Sequence, residues 1–452
     1  MAPRTARRQF LQQGIQSGLG ATLAMSGLVS PRRMAAASDK VVIGFIGVGG
    51  RGSFLLSLFL QRPDIEIAYI CDVARERREA GVKMVEAASG RQPKAVEDLR
   101  QVLDDRHVDG VVVATPDHWH APATVMACQA GKDVYVEKPA TQNIWEGRKA
   151  VEAARKYNRV VQVGMQNRSS TYGATAREHI RSGKLGDIHL VRVYNMLGRE
   201  RLQKGPDTPP PDGLNWDMWL GPAAQRPFNT ACRKNWYYFW DFGSGFFDDG
   251  VHQFDFARMV IDRKFPNSVH HAGGSLSFKD DAEVPDTTVA TYQYDSLTIV
   301  LEQTWWTPYM VKTPEAIRQS ETAYPDFYPF NGMKVEIFGT QGMMILGRHG
   351  AGWQLFDQNG QKIEQEKQSH GKMQAGHIGN YIECIRTRKQ PNADIEHGHV
   401  SASCGHMANI SYRLGNRKLN FDAATETFVN DEEANRYLKR TYREPWVIPD
   451  HV

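Results

Sequence analysis

From residue 40 onward the hydrophobic positions fall first into short, almost unbroken runs. Val41–Ile46, Ile65–Cys71, Val108–Ala114, Val134–Val136 and Val160–Val163 are mostly apolar, broken by a polar side chain only at Glu66, Asp109 and Gln162. That pattern belongs to strands of a parallel sheet with both faces covered. Between the runs lie helical stretches at 53–60, at 121–130 (opened near Pro122 and closed by Gly131) and at 145–157. Strand and helix in alternation predict βαβ units, hence an α/β Rossmann domain with a doubly wound sheet.

After about residue 185 the period changes. Ile188–Asn195, Thr287–Tyr294, Leu297–Gln303, Lys334–Phe338 and Trp353–Phe356 read as strands, several with alternating faces. Asp295-Ser296 and Thr340-Gln341-Gly342 supply turns between neighbours. The expectation is an α+β domain built on a mostly antiparallel open sheet. A stretch rich in proline and tryptophan, 205–240, separates the two styles and is expected to border a cleft. The predicted organisation is a leader at 1–37, a nucleotide-binding domain at 38–165, and a substrate-binding and oligomerisation domain at 166–452.

Composition then excludes whole classes. The chain has 452 residues, 41% hydrophobic and 23% charged, which rules out wholesale disorder and fibrous folds. Its net charge of +4 resides in the leader, where Arg4, Arg7, Arg8, Arg32 and Arg33 stand without a single acid or lysine; the remainder carries 50 basic and 51 acidic residues. No nucleic-acid footprint is expected. Arg7-Arg8-Gln9-Phe10-Leu11 matches the twin-arginine pattern. Residues 9–30 are uncharged, and Ala35-Ala36-Ala37 offers a cleavage site before Ser38. Export to a periplasm is therefore expected. The leader's apolar run is too short and diluted for a membrane span, and no later run is long enough. Five cysteines without CxxC spacing argue against a disulfide framework, and no metal site is expected.

Chemistry enters with the turn that follows the first run. Gly47-Val48-Gly49-Gly50-Arg51-Gly52 contains Gly-x-Gly-x-x-Gly. The first glycine allows a tight turn, the second close approach of a pyrophosphate, and the third contact between helix and strand. Asp72 lies twenty residues past Gly52, at the end of the second run, where an acid binds the adenosine ribose hydroxyls. An acid there repels a 2′-phosphate and favours NAD. Arg75, Arg77 and Arg78 nearby keep NADP open. Two more clusters close predicted strands: Thr115-Pro116-Asp117-His118-Trp119-His120 and Glu137-Lys138-Pro139. Ligands of doubly wound sheets bind at such ends.

Taken together, these motifs resemble the Gfo/Idh/MocA oxidoreductases over 40–452, and most closely their leader-bearing bacterial branch. The likeness extends to Val163-Gly164-Met165-Gln166-Asn167-Arg168, to Trp216-Asp217-Met218-Trp219-Leu220-Gly221-Pro222, and to Tyr442-Arg443-Glu444-Pro445-Trp446. The resemblance implies a catalytic Lys138 beside the reacting carbinol. It implies Glu137 and His120 on the nicotinamide riboside, Thr115 and Pro116 along the pyrophosphate and ribose, and Gln166 near the carboxamide. It also implies an acid four residues before a histidine on one helix: Asp248 and His252, with Asp249 the alternative partner. A dimer or tetramer is implied as well.

The implied chemistry agrees with the residue types. Removing a hydride from a secondary alcohol needs a base for the hydroxyl proton and a cation for the developing alkoxide. The substrate class the resemblance implies is a sugar, sugar derivative or polyol. Trp236, Tyr237, Tyr238, Trp240, Trp305, Trp306 and Tyr309 either floor a sugar site or pack the domains together. Two other functions stay open. One is an NAD-dependent glycosidase that oxidises its substrate transiently; the other is an exported, non-catalytic binding protein that keeps the nucleotide as a prop.

Overall fold

Two β-sheets organise the chain. The computed structural model describes residues 40–452 apart from Leu197, Asp248 and Pro329; the leader lies outside the described residues. The first sheet comprises β1 (Val41–Ile46), β2 (Ile65–Cys71), β3 (Lys94–Val96), β4 (Gly110–Val113), β5 (Asp133–Val136) and β6 (Val161–Val163). All neighbours are parallel in the order β3-β2-β1-β4-β5-β6. Strands β4, β5 and β6 are buried at every position, including Asp133 and Gln162, as strands covered on both faces are. The edge strand β3 escaped the sequence reading because Lys-Ala-Val at an exposed edge carries no apolar run.

The second sheet contains β7 (Ile188–Met196), β8 (Ser268–Gly274), β9 (Thr287–Gln293), β10 (Thr298–Thr304), β11 (Lys334–Gly339), β12 (Gly342–Gly347), β13 (Trp353–Asp357), β14 (Lys362–Glu366), β15 (Leu419–Asp422) and β16 (Thr427–Phe428). Its order is β14-β13-β12-β11-β7-β10-β9-β8-β15-β16. Only the β7–β10 pair is parallel; the others are antiparallel. Alternate residues of β10 (Ile299, Leu301 and Gln303) are buried, the period-2 signature of a sheet covered on one face. The helices Val251–Ile261 and Ile395–Arg413 pack against it.

The C-terminal part of the chain does not stay with the second sheet. The helix His370–Thr387 returns to the first one, where Tyr381 packs against Phe59 and Tyr135 at centroid distances of 6.5 and 5.8 Å. The Tyr381 hydroxyl donates to the Val111 carbonyl at 3.3 Å. The stretch 205–240 forms a satellite core under the Thr115–Trp119 turn, with Trp216 and Trp219 stacked at 4.5 Å. All five cysteines are buried and free.

Candidate active site

The glycine turn joins β1 to a helix that begins at Gly50, three residues earlier than the apolar pattern marks. Gly50, Arg51 and Gly52 therefore form its first turn, with backbone N–H groups free to face an anion. Glycine is required at two points. Gly47 has φ +85°, and a Cβ there would lie 2.8 Å from the Ala114 carbonyl. A Cβ on Gly52 would lie 2.1 Å from the Gly47 oxygen. At the end of β2, Asp72 accepts the backbone N–H of Val48 at 2.9 Å and of Ala74 at 3.0 Å. Burial raises its pKa, while Arg77 and these two N–H groups oppose the rise.

A cleft opens between these elements, lined by Gly47, Gly49, Asp72, Arg77, Thr115 and Pro116. The Thr115 hydroxyl and the Gln166 side-chain oxygen are buried without hydrogen-bond partners among the described residues. An anchored acid, a glycine cradle that any Cβ would fill, and orphaned polar atoms fit a dinucleotide. The three arginines near Asp72 separate here. Arg78 binds the Asp72 carbonyl at 2.5 Å and Glu97 at 3.4 Å, and Arg75 packs beside Gly213. Only Arg77 of the three lines the cleft.

The strand-end clusters hold this wall together. Glu137, at the end of β5, accepts Nε of Arg51 at 2.8 Å and the Lys138 N–H at 3.3 Å, so it ties the glycine helix to the lysine turn. Gln166 donates to the Tyr135 hydroxyl at 3.2 Å. His120 lies between the two strand-end clusters. Its ring is 1% exposed, with Nδ1 at 2.6 Å from the Pro139 carbonyl and Nε2 at 2.9 Å from the Thr115 carbonyl. Both ring nitrogens face backbone carbonyls, so His120 links the Thr115 turn to the Lys138-Pro139 turn. His118 is likewise internal: burial pushes its pKa down to about 3, and Nε2 meets the Trp219 carbonyl at 2.9 Å.

The opposite wall carries charge. Asp248 lies outside the described residues. The helix that carries His252 begins at Val251, after a short 3-10 turn at Gly245–Phe247, so the alternative acid Asp249 precedes this helix. His252 sits in its first turn. Asp249 precedes it and turns its carboxylate to Arg348, which donates from both terminal nitrogens at 2.6 and 2.7 Å. Burial alone would raise the Asp249 pKa, but Arg348, with Lys138 and His252 adding, holds it well below the usual range. For His252, burial lowers the pKa first, and Arg348 and Lys138 lower it further against Asp249. Its Nδ1 is buried and unpartnered among the described residues. The site thus favours the neutral form of the His252 imidazole, within electrostatic reach of Lys138 and Arg348.

Two residues of this wall escaped the sequence reading. Arg348 and His349 occupy the turn after β12, with Arg348 on Asp249 and the His349 ring 4.4 Å from that of His252, edge to face. Lys312 and Arg318 add positive charge around them. The one available signal was Gly347-Arg348-His349-Gly350, two polar side chains in a glycine turn between strands.

Comparisons with known proteins agree with this geometry. Residues 41–165 match the oxidoreductase family model with an NAD-binding Rossmann fold, "GFO_IDH_MocA". Residues 219–345 match its "GFO/IDH/MocA C-terminal domain" and 334–448 its "C-terminal alpha/beta domain". The chain is 22% identical over 309 residues to the uncharacterized oxidoreductase YrbE of Bacillus subtilis, covering 68% of this chain and 73% of that protein. It is 34% identical over 213 residues to a glycosyl hydrolase family 109 protein of Solibacter usitatus, covering 42% of this chain and about half (46%) of that protein. Among solved structures, levoglucosan dehydrogenase in complex with NADH and levoglucosan has the same fold, with a TM-score of 0.61 at 18% identity over 86% of this chain and 99% of that one. A nucleotide cradle, a strand-end lysine turn and a charged helix start, matched in succession by the models of one family, make this chain a member of the Gfo/Idh/MocA oxidoreductases.

Proposed function

We propose that the protein oxidises a secondary hydroxyl of a sugar, sugar derivative or polyol with a nicotinamide nucleotide held in the cleft beside Asp72. The observation that carries this reading is the buried His252 in the first turn of its helix, within electrostatic reach of Lys138, Asp249 and Arg51 of the glycine helix. When bound, the nucleotide supplies the hydride acceptor. His252 accepts the hydroxyl proton, and Lys138 stabilises the negative charge that grows on that oxygen. Arg348 fixes Asp249 and keeps His252 unprotonated. Asp72 offers its carboxylate to ribose hydroxyls, which favours NAD; Arg77 is the residue that would greet a 2′-phosphate instead. The twin-arginine leader points to export with the nucleotide already bound, and the protein would then keep NAD tightly and close its redox cycle internally. The homo-oligomer implied by the resemblance belongs to the same reading.

A second reading rests on the family 109 relative. The same proton transfer at His252, followed by return of the hydride after bond cleavage, would break a glycoside without net oxidation. The test follows nicotinamide absorbance and products together over a panel of sugars, polyols and glycosides. Oxidation with reduced nucleotide supports the first reading, and cleavage at constant absorbance supports the second. Binding of sugars without either outcome leaves the non-catalytic binding protein and defeats both.

A further inference from the structure

A second cavity, of about 390 Å³, shares no lining residue with the dinucleotide cleft and includes none of Lys138, Asp249, His252 or Arg348. Its size falls in the ~300–1,000 Å³ range of small-molecule sites. One wall is the last turns of the helix Ile395–Arg413; the others are residues 240–244, the loop after Lys138-Pro139, and the C-terminal segment 436–441. Five charged side chains face it. Lys439 is bound by Asp450 at 2.6 Å, Arg440 by Glu146 at 2.9 Å, and Asp241 by Arg226 at 3.3 Å. Arg413 and Arg436 have no carboxylate within ion-pair distance among the described residues. Arg413 is nevertheless positioned, 5.2 Å from the Trp240 ring and 4.5 Å from that of Tyr437. Behind these cations lies Asn409, 5% exposed. Its Nδ2 donates to the Ser244 carbonyl at 2.8 Å, while its Oδ1 is buried with no donor.

Each of these features asks for a partner of its own. Two guanidinium groups without counter-ions ask for an anion. A buried amide oxygen asks for a hydroxyl or amine, because leaving it unpaired is costly. The half-buried Trp240 indole, with Arg413 and Tyr412 against it, holds this wall of the cavity in place. We propose that this cavity binds a small anionic saccharide, its carboxylate or phosphate on Arg413 and Arg436 and a hydroxyl donating to Asn409. The site is independent of the catalytic reading. It is also joined mechanically to the active site: Gln142 donates to the Trp240 carbonyl at 2.5 Å, four residues past Lys138, and Ser244 donates to Asp117 from N–H and hydroxyl at 3.0 and 2.7 Å.

The test is calorimetric titration of the full, NAD-loaded protein with glucose 6-phosphate, glucuronate, inorganic phosphate and glucose. At least one of the two anionic sugars is expected to bind more tightly than both phosphate and glucose, with affinity falling as salt rises. Which one binds distinguishes a phosphate from a carboxylate site. In an R413A/R436A protein that affinity is expected to fall roughly tenfold or more, while NAD affinity and unfolding temperature stay unchanged because both arginines are exposed. R413K is expected to fall between the two. Equal affinity in wild type and the double variant places any binding in the catalytic cleft and overturns the proposal. Glucose binding as tightly as both anionic sugars, or neither anionic sugar binding, overturns it too.

Discussion

The dinucleotide wall is shaped mostly by backbone: the glycine turn, the N–H groups of a helix start, and carbonyls that the His120 and His118 rings face. The facing wall is made of side chains carrying charge, with Asp249, Arg348, Lys138 and His252 acting on one another in a buried space. The contrast teaches where each wall is sensitive. Backbone geometry tolerates no added atom but is indifferent to pH. A charge cluster tolerates changes of shape, while any lost charge changes the proton affinity of its neighbours.

The largest expected effect comes from geometry. Gly52→Ala puts a methyl 2.1 Å from the Gly47 oxygen, so nucleotide affinity is expected to drop ~100-fold or more through overpacking; fluorescence titration against NAD reads it. Next come Lys138→Ala and His252→Ala. Both are expected to retain NAD and to lose kcat by roughly 10²–10³-fold. A raised KM with unchanged kcat in both would reduce them to binding residues.

Charge on the facing wall sets the next effect. A histidine normally titrates near ~6.5. His252 is lowered by burial, Arg348 and Lys138, so its neutral, proton-accepting form persists below that pH. The acid limb of kcat/KM is therefore expected below ~6.5. Arg348→Met removes a cation and leaves Asp249 negative beside His252, which raises the imidazole pKa and moves the limb upward. Arg348→Lys keeps the charge and should move it less. A limb that stays in place in the Met variant would dismiss the electrostatic account.

Buried histidines also sharpen the comparison through stability. His118 and His377 are lowered to about 3 and His406 to about 4, all by burial. Below ~6.5 the unfolded chain takes up protons that the folded one refuses, so stability present at neutral pH is lost on acidification. Each group contributes a slope on the order of 1 kcal/mol per pH unit. Unfolding temperature should fall steadily from pH 7 to 5; a flat profile would contradict the burial of these rings. The smallest effect is cofactor choice: Arg77→Ala is expected to weaken NADP several-fold more than NAD, read by parallel titrations.

The same contrast explains what the sequence made legible. Gly47, Gly52, Asp72 and Lys138 sit at the ends of apolar runs, so period and spacing located them together with the first sheet. The facing wall is non-local. Asp249 finds its partner at Arg348, 99 residues later, and no spacing rule spans that separation. The helix start at Val251 was hidden because the resemblance supplies only a spacing of acid and histidine, whereas Gly245, at φ +68°, leads into a separate 3-10 turn first. Nor does spacing show that both ring nitrogens of His120 face backbone carbonyls, those of Pro139 and Thr115. The return of His370–Thr387 to the first sheet was equally hidden, since Ile378, Tyr381 and Ile382 show which face is apolar but not what that face meets.

The claim that His252 and Lys138 act on a carbinol whose hydrogen leaves as hydride has one direct test. A substrate from the panel, deuterated at the reacting carbon, is mixed with the NAD-loaded protein and quenched within a single turnover. Mass spectrometry then follows the label. The account predicts deuterium in the bound nucleotide, whether it stays there or later returns to a cleaved glycoside, and its disappearance in Lys138→Ala and His252→Ala proteins that still hold NAD. Substrate turnover with no label ever reaching the nucleotide would contradict it.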